Sequence, residues 1–274
     1  MHNLVYIIMD SCRFDTYEEA QTPNLERLGR VEKRYSYASW TSPSHYTLLM
    51  GLTPHTSPPG VFASEVYKED FLLWRDRLGV EELNFKTFIP ELSLPCQLAK
   101  LGYRCVGRVS LPVLNQYTTF STHFEDYRLM EDHNDFKGMI EEMRFEEDRP
   151  TFFFFNLGET HYPYMLGPEE APILHGVHGV FKQLGPTQAK EKADPARRDF
   201  FNLKELDRLR KQQIKACEHV DRLLGRLFDK LPPQTHVIVT ADHGELFGED
   251  GFFGHGPIFH PKVFEVPFVE GKPG

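Results

Sequence analysis

The sequence predicts an α/β protein built as a three-layer α/β/α sandwich, with helices on both faces of a central, mostly parallel sheet. Two observations lead to this prediction. Four short runs rich in β-branched and aromatic residues are apolar throughout instead of alternating, which is typical of strands buried on both faces. Helical patterns lie between these runs, and an alternation of strand and helix favours a layered α/β fold.

The predicted helices are bounded by residues that commonly start or stop helices. A helix is predicted for residues 92–102, because Pro95 lies near its start and Gly102 at its end. A longer helix is predicted for residues 203–231, where apolar residues recur at helical spacing until a Pro-Pro pair. The strands are predicted at residues 4–9, 103–109, 151–157 and 236–241.

One domain is expected over residues 1–274, because a chain of 274 residues with 40% hydrophobic residues can form one sizeable core. Residues 167–198 differ from the rest, since they carry Pro, Gly, His and Lys without periodicity. Loops as long as this are usually lids, substrate-binding elements or disordered insertions. We therefore expect an insertion or lid around residues 167–198 within the single domain.

The chain is acidic, with a net charge of -9 and a pI near 5.8. Nucleic acids and anionic membranes select for clustered Lys and Arg, so neither is expected as a partner. No apolar run is long enough to span a bilayer, and no basic segment typical of a secretory signal precedes the first strand. The four cysteines lack metal-ligand spacing and are expected to stay reduced. These features predict a cytoplasmic location. The sequence does not indicate the oligomeric state.

Acidic and imidazole side chains follow three of the predicted strands at the point where each strand ends. Asp10 follows the first strand, Glu159 and His161 follow the third, and Asp242 with His243 follows the last. In open α/β sheets, ligands bind at the carboxyl ends of the strands. Two carboxylates and one imidazole form a donor set suited to Zn, Mn or a similar divalent ion. We therefore predict a metal site formed by Asp10, Asp242 and His243.

The segment WTSPSHYTLLMGLTP, residues 40–54, places several hydroxyl groups directly ahead of an apolar helical stretch. Thr41 is predicted to complete the metal site, because coordination lowers the pKa of a bound hydroxyl and makes it a stronger nucleophile. A second interpretation is that Thr41 or Ser42 caps the helix by accepting from its backbone N–H groups. For His161 the corresponding alternative is a hydrogen-bonded turn residue. These alternatives do not explain why acids and imidazoles follow three separate strands.

Three motifs, in this order along the chain, carry a resemblance to a known group of enzymes. They are IIMDSCRFD at the first strand, TPNLERL shortly after it, and HVDRLLGRLFDKLPPQTHVIVTADHGELFGEDG near the end. Together they resemble the alkaline phosphatase superfamily, and within it the sulfatases, the phosphoethanolamine transferases and the nucleotide pyrophosphatase/phosphodiesterases. The resemblance extends to about residue 270 and is strongest at the two ends. It implies an alkaline phosphatase-like fold and a metal-dependent enzyme.

The segment around Thr41 is most similar to the phosphodiesterase branch, which has a Thr nucleophile, a Pro two residues later, and His, Tyr and Thr ahead of a Gly-Leu-x-Pro turn. By the same resemblance, Thr41 occupies the position where sulfatases have a Cys or Ser that is converted to formylglycine, and Thr cannot be converted. His45 replaces the Arg that sulfatases have four residues after the nucleophile. Hydrolysis of sulfate esters by the usual route is therefore disfavoured. The matching residues are Thr41, Pro43, His45, Tyr46, Thr47, Gly51, Leu52 and Pro54.

Two further histidines match residues of sulfatase-like relatives. His255 is similar to the second His of the phosphoethanolamine transferases, and His161 is similar to a His that faces the transferred group. The resemblance implies that both bind substrate, act as general acids, or hold a second metal. Ser11 stands where many sulfatases have a second Asp, and the Asp-x-x-x-His pair of the other phosphodiesterase zinc site is not evident. One ion, Zn or Mn, is therefore expected, and a second remains open.

The motifs and the resemblance together predict a metal-dependent hydrolase of phosphate esters. Thr41 would attack phosphorus, His161 and His255 would steady the phosphoryl oxygens or protonate the leaving group, and water would release the phospho-threonine. Three alternatives remain open: a transferase of the phosphoethanolamine type, in which an alcohol replaces water, a sulfatase-like hydrolase, and a metal-binding pseudoenzyme. The expected partner is a small-molecule phosphate ester whose identity no motif specifies.

Overall fold

The computed structural model describes residues 2–56, 90–166, 181–182 and 202–274, together with positions 73, 76, 79 and 81. Most of the segment predicted as an insertion or lid, residues 167–198, lies outside the described residues. Within that segment, the described residues form one short strand, Phe181–Lys182.

The described residues form two sheets. Their strands are β1 (Asn3–Met9), β2 (Glu32–Tyr35), β3 (Arg104–Val109), β4 (Asp126–Leu129), β5 (Thr151–Leu157), β6 (Phe181–Lys182), β7 (Thr235–Thr240), β8 (Leu246–Phe247), β9 (Phe252–Gly254) and β10 (Glu265–Gly271). The larger sheet has the order β2-β10-β7-β1-β5-β3-β4, and the smaller has the order β6-β9-β8. In the larger sheet only the two pairings of β10 are antiparallel. The sheet is therefore mostly parallel, as predicted.

Helices cover both faces of the larger sheet. They are α1 (Phe14–Glu19), α2 (Thr41–Leu49), α3 (Leu94–Lys100), α4 (Phe136–Glu142), α5 (Leu203–Phe228) and α6 (Pro261–Phe264). On one face, Val5, Ile7 and Met9 of β1 belong to a core cluster with residues of α4 and α5. On the other face, Tyr6 and Ile8 belong to a cluster with residues of α2 and α3. The alternation of β1 side chains between two helical layers confirms the three-layer α/β/α sandwich.

The elements predicted from apolar patterns are present with small shifts. The four predicted strands are β1, β3, β5 and β7, with bounds moved by at most one residue. The helix predicted at 92–102 is α3, which begins after its capping residue Ser93. The helix predicted at 203–231 is α5, which ends at Phe228. Its end comes earlier because the backbone N–H of Lys230 already bonds three residues back, in a tighter turn.

The four cysteines, predicted to be reduced, are free and buried. Cys12, in the turn after β1, and Cys217 of α5 have their sulfur atoms 3.1 Å apart. Both belong to the core cluster between the sheet and α5, where a thiol packs as a small apolar side chain. Among the described helices, none is both long enough and apolar enough to cross a membrane.

Three central strands bring their carboxyl ends together at one edge of the sheet. β1 lies between β5 and β7 and runs parallel to both. Met9 pairs with Leu157 and Ile8 with Thr240, so the residues that follow these strands are neighbours. These two registers place the carboxyl ends of all three strands at the same edge of the sheet. This edge holds the candidate site.

Candidate metal centre

Asp10, Asp242 and His243 form a buried cluster at this edge. Each offers one ligand atom, and these atoms all lie within 4.8 Å of one another. His243 Nε2 lies 3.2 Å from Asp242 Oδ2 and 3.8 Å from Asp10 Oδ1. All three residues are fully buried. The structure thus brings together the three side chains that the sequence predicted as metal ligands.

The backbone around the last strand fixes the orientation of two of these side chains. Asp242 Oδ1 accepts from the backbone N–H groups of Ser11 at 3.1 Å and His243 at 2.9 Å. The His243 Nδ1–H donates to the Gly244 carbonyl at 2.9 Å, so Nε2 is the nitrogen that faces the carboxylates. Gly244 is required here, because a Cβ would lie 2.1 Å from the Lys262 carbonyl oxygen.

The charges of the cluster are not balanced within the described residues. Burial, and then the charge of Asp242, raises the pKa of Asp10 well above its ordinary value, and burial raises the pKa of Asp242 to about 7. Burial lowers the pKa of His243, which favours its neutral form. Neither carboxylate forms an ion pair with a described Lys or Arg, and Asp242 Oδ2 has no hydrogen-bond partner. Two buried carboxylates and a neutral imidazole therefore fit a divalent cation.

Thr41 lies beside this cluster at the start of α2. Its Oγ1 lies 3.4 Å from His243 Nε2, and the side chain is buried. The capping residue of α2 is Trp40, and no side chain caps the helix. The interpretation of Thr41 or Ser42 as a helix cap is therefore wrong. The uncapped first turn of α2 directs backbone N–H groups and the positive end of the helix dipole outward, where they attract anions.

Two polar residues of this centre were not predicted as site residues. His45 is fully buried in α2, and its Nδ1–H donates to the Thr41 carbonyl at 2.9 Å while lying 3.5 Å from Asp242 Oδ2. Burial lowers the pKa of His45 to about 3, so the ring is neutral. Asn156 Nδ2 donates to Asp10 Oδ2 at 2.8 Å. The only sequence signal for Asn156 is a single amide after four phenylalanines in TFFFFNL.

The predicted catalytic histidines lie next to the cluster. The rings of His255 and His243 are 4.3 Å apart, and those of His161 and His255 are 5.2 Å apart. The His161 Nδ1–H donates to the carbonyl of Tyr162 at 2.7 Å, which agrees with the interpretation of this residue as a hydrogen-bonded turn residue. The three rings therefore extend in a row from the carboxylates.

Glu245 holds His255 and was not predicted as a site residue. Its Oε1 accepts from His255 Nδ1 at 3.1 Å, and its Oε2 accepts from the Tyr164 hydroxyl. The Ser11 hydroxyl, 3.4 Å from His255 Nδ1 and 3.3 Å from Asp10 Oδ1, lies between the two groups. Glu245 belongs to the motif ADHGE, but the sequence gives no indication that it reaches His255.

Glu159 is the one acidic residue at a strand end that turns away from the cluster. Its Oε1 accepts from the Phe136 backbone N–H at 2.8 Å, whereas Oε2 has no hydrogen-bond partner. Burial raises the pKa of Glu159 to about 7. This carboxyl supports the start of α4.

A second buried amide joins the turns that carry the site. Gln213 of α5 donates through Nε2 to the carbonyls of Ser11 at 2.9 Å and Thr160 at 3.0 Å. Thr160 in turn donates through Oγ1 to the carbonyl of Asp10 at 2.8 Å. The turn after β1 and the turn that leads to His161 are therefore held together by the hydrogen bonds of Gln213 and Thr160.

Comparisons with known proteins agree with this architecture. A family model described as Sulfatase matches residues 2–270. No curated protein matches the sequence. Among solved structures, the C-terminal periplasmic domain of phosphoethanolamine transferase EptC from Campylobacter jejuni is 13% identical with a TM-score of 0.54, over 98% of this chain and 78% of that chain.

Two other solved structures are similar over comparable lengths. The C-terminal periplasmic domain of EcEptC from Escherichia coli, in complex with Zn, is 13% identical with a TM-score of 0.61, over 99% of this chain and 73% of that chain. The phosphonate monoester hydrolase of Agrobacterium radiobacter is 16% identical with a TM-score of 0.59, over 100% of this chain and 68% of that chain. At these identities the structures show a shared fold.

The family match covers nearly the whole chain, and the fold is shared with a phosphoethanolamine transferase domain and with a phosphonate monoester hydrolase. Sulfatase-family proteins bind a divalent metal, which is what the cluster of two carboxylates and one imidazole fits. Because the family model matches residues 2–270, the chain belongs to the sulfatase family.

Proposed function

We propose that this protein is a metal-dependent hydrolase of phosphate esters that acts through a covalent phospho-threonine at Thr41. One observation carries the proposal: the Thr41 hydroxyl lies 3.4 Å from His243 Nε2, beside two buried carboxylates that have no cationic partner among the described side chains. A hydroxyl in this position, at an uncapped helix start, is suited to attack a phosphoryl group.

The proposed cofactor is one divalent ion, Zn or Mn. Asp10, Asp242, His243 and Thr41 would hold it, because carboxylate, imidazole and hydroxyl ligands suit both metals. When bound, such an ion lowers the pKa of a coordinated hydroxyl and polarises the oxygen of the ester. In the described ranges, only one cluster of acidic and imidazole side chains has the spacing of a metal site. It consists of Asp10, Asp242 and His243, which favours one ion over two.

The side chains of the site divide the proposed reaction between them. Thr41 Oγ1 forms the bond to phosphorus while the bond to the leaving-group oxygen breaks, and water then attacks the phospho-threonine and restores the hydroxyl. His255 is assigned to protonate the leaving group, since Glu245 orients its ring through Nδ1 at 3.1 Å. His161 is assigned to the phosphoryl oxygens, together with the N–H groups of the first turn of α2.

A transferase is the second candidate, favoured by the shared fold with the phosphoethanolamine transferase domain and by the position of His255. An acceptor alcohol would then take the place of water in the second step. The usual sulfatase route is not proposed, because it needs a Cys or Ser at the position of Thr41. We expect a small-molecule ester as substrate, since the net charge of -9 disfavours a polyanionic partner. The expected cytoplasmic location stays a prediction that cell fractionation would test.

The test is ester hydrolysis by metal-stripped protein resupplied with Zn, Mn or Mg. The substrates are p-nitrophenyl phosphate, bis-p-nitrophenyl phosphate and p-nitrophenyl sulfate. Thr41→Ala is expected to lower turnover by about 10⁴-fold or more, the size seen when a nucleophile is removed. Its melting temperature should stay close to wild type, and so should its metal content, because water can replace a neutral hydroxyl as a ligand whereas the charged carboxylates remain.

Thr41→Ser is the matched control, because it keeps a hydroxyl and should retain turnover. An unchanged rate in Thr41→Ala would show that Thr41 is not the nucleophile. If wild-type protein binds metal but hydrolyses none of the three esters, the hydrolase proposal fails, and a transferase or a binding domain takes its place.

A further inference from the structure

Asn156 is a buried amide that contacts both Asp10 and His45 of the candidate centre. It lies near the end of β5, directly after four phenylalanines, and is fully buried. A buried amide without hydrogen bonds would be strongly destabilising. The hydrogen bonds of Asn156 therefore indicate why a polar side chain is present at this buried position.

The orientation of the amide is fixed by its oxygen. Asn156 Oδ1 accepts from the backbone N–H groups of Ser110 and Leu111, each at 3.3 Å. Backbone N–H groups only donate, so a flipped amide would place two donors against two donors. The NH₂ group must therefore face the opposite side, which is the side of the candidate centre.

The NH₂ group reaches two residues there. Nδ2 donates to Asp10 Oδ2 at 2.8 Å and lies 3.3 Å from His45 Nε2. Because the amide nitrogen donates, His45 Nε2 accepts, and the ring proton is on Nδ1. That proton is donated to the Thr41 carbonyl at 2.9 Å. One amide thus fixes the rotation of the Asp10 carboxylate and the tautomer of the histidine that holds the first turn of α2.

We propose that Asn156 is a positioning residue that orients Asp10 for metal binding and, through His45, orients the turn that carries Thr41. The inference rests on the proposed function, because it assumes that Asp10 is a ligand of a divalent ion. It concerns a residue that touches neither the ion nor the ester. Partners of this kind typically change metal affinity or activity by about 10–100-fold when they are removed.

The decisive variant is Asn156→Leu, which keeps the branched shape of the side chain and removes the NH₂ donors together with the amide oxygen. Thr235→Val is the matched control: Thr235 is buried in β7 at the opposite end of the same sheet, where its hydroxyl donates to Pro232 O at 2.7 Å. Zn affinity is measured by chelator competition, and ligand geometry by the visible absorption of Co-substituted protein. Melting temperature is recorded for each metal-free variant.

Asn156→Leu is expected to weaken Zn binding by about 10–100-fold and to change the Co absorption spectrum. Thr235→Val is expected to melt at a lower temperature while binding Zn with wild-type affinity. Wild-type Zn affinity together with an unchanged Co spectrum in Asn156→Leu would overturn the inference. If that variant does not fold, Asn156→Ser decides in its place, because its hydroxyl is one bond shorter than the amide nitrogen and the same two outcomes apply.

The experiment separates this inference from the proposed function. A wild-type protein that binds neither Zn nor Co contradicts the metal site itself. A wild-type protein that binds both, combined with an Asn156→Leu variant that also binds both normally, contradicts only the positioning role.

Discussion

The candidate centre has two halves that differ in how their charges are neutralised. In the metal half, Asp10, Asp242 and His243, two buried carboxylates have no Lys or Arg partner in the described part of the chain. In the histidine half, His161, His255 and Glu245, the carboxylate accepts from a histidine at 3.1 Å and from the Tyr164 hydroxyl. The metal half therefore has no cationic side chain within the described residues, whereas the carboxylate of the histidine half is held by hydrogen bonds from the chain itself.

This difference predicts how variants in the two halves separate. A change in the metal half should remove both the ion and turnover, because the remaining ligands are too few. A change in the histidine half should lower turnover and leave the ion in place. Metal content and rate, measured on the same samples, are thus the two quantities that test the comparison.

The largest effect is expected for Asp242→Ala. The variant deletes Oδ2, a proposed ligand atom without a hydrogen-bond partner, and also Oδ1, which accepts from the backbone N–H groups of Ser11 and His243. We expect turnover to fall by at least about 10³-fold and the rise in melting temperature on adding Zn or Mn to disappear. Metal analysis after dialysis and a thermal melt with and without the ion measure both.

Asp148→Ala, at an exposed position, is the control for Asp242→Ala and should behave as wild type. An Asp242→Ala variant that keeps wild-type metal affinity would show that the ion binds elsewhere. The distinction between the two halves would then be lost.

A smaller effect is expected for Glu245→Gln in the histidine half. The two carboxylate oxygens of Glu245 both accept, one from His255 and one from the Tyr164 hydroxyl. A glutamine has one oxygen, so one of these two donors loses its acceptor and the His255 ring is less well held. We expect kcat to fall by about 10–100-fold with unchanged metal affinity.

Glu147→Gln is the matched control for Glu245→Gln, because it makes the same chemical change at an exposed position. Steady-state kinetics and metal analysis together decide the result. Loss of the ion in Glu245→Gln would contradict the separation of the two halves.

The elements predicted from the sequence are those whose patterns are local and strong. The apolar runs of β1 and β5 are buried on both faces, and the helical spacing of α5 continues over many turns. By contrast, β2 has the sequence EKRY and is partly exposed, and β10 contains Pro267. These strands form through pairing with each other, which a local pattern does not show.

The same contrast applies to the candidate site. Asp10, Asp242 and His243 directly follow predicted strands, so their meeting at one edge could be predicted from the parallel sheet. Asn156 could not be predicted as a site residue, and His45 matched a motif without a predicted role, because the roles of both depend on a contact of 3.3 Å between β5 and α2. Residues that bind an ion are recognised by type and position, whereas residues that orient them are recognised only by their neighbours.

The smallest effect on metal content and turnover is expected for Glu159→Gln. This variant tests whether burial alone distinguishes the carboxylates of the metal half. Glu159 is also a buried carboxyl at a strand end, and burial raises its pKa to about 7. It lies outside the cluster of possible metal ligands, so protonation rather than a cation would neutralise it. The folded protein then loses stability as the pH rises from the unfolded pKa near 4.5 to the folded value near 7, by at most about 3 kcal/mol.

Glu159→Gln removes this penalty, since the amide stays neutral at every pH and its oxygen can accept from the Phe136 N–H. The variant should be more stable than wild type by up to about 3 kcal/mol near pH 8 and by less than about 0.5 kcal/mol near pH 4.5. Urea unfolding at both pH values measures the difference, and Glu147→Gln should show none. A variant that is less stable at the higher pH, or that loses metal, would mean that the Glu159 charge is balanced by a cation after all, and burial alone would not distinguish the metal half.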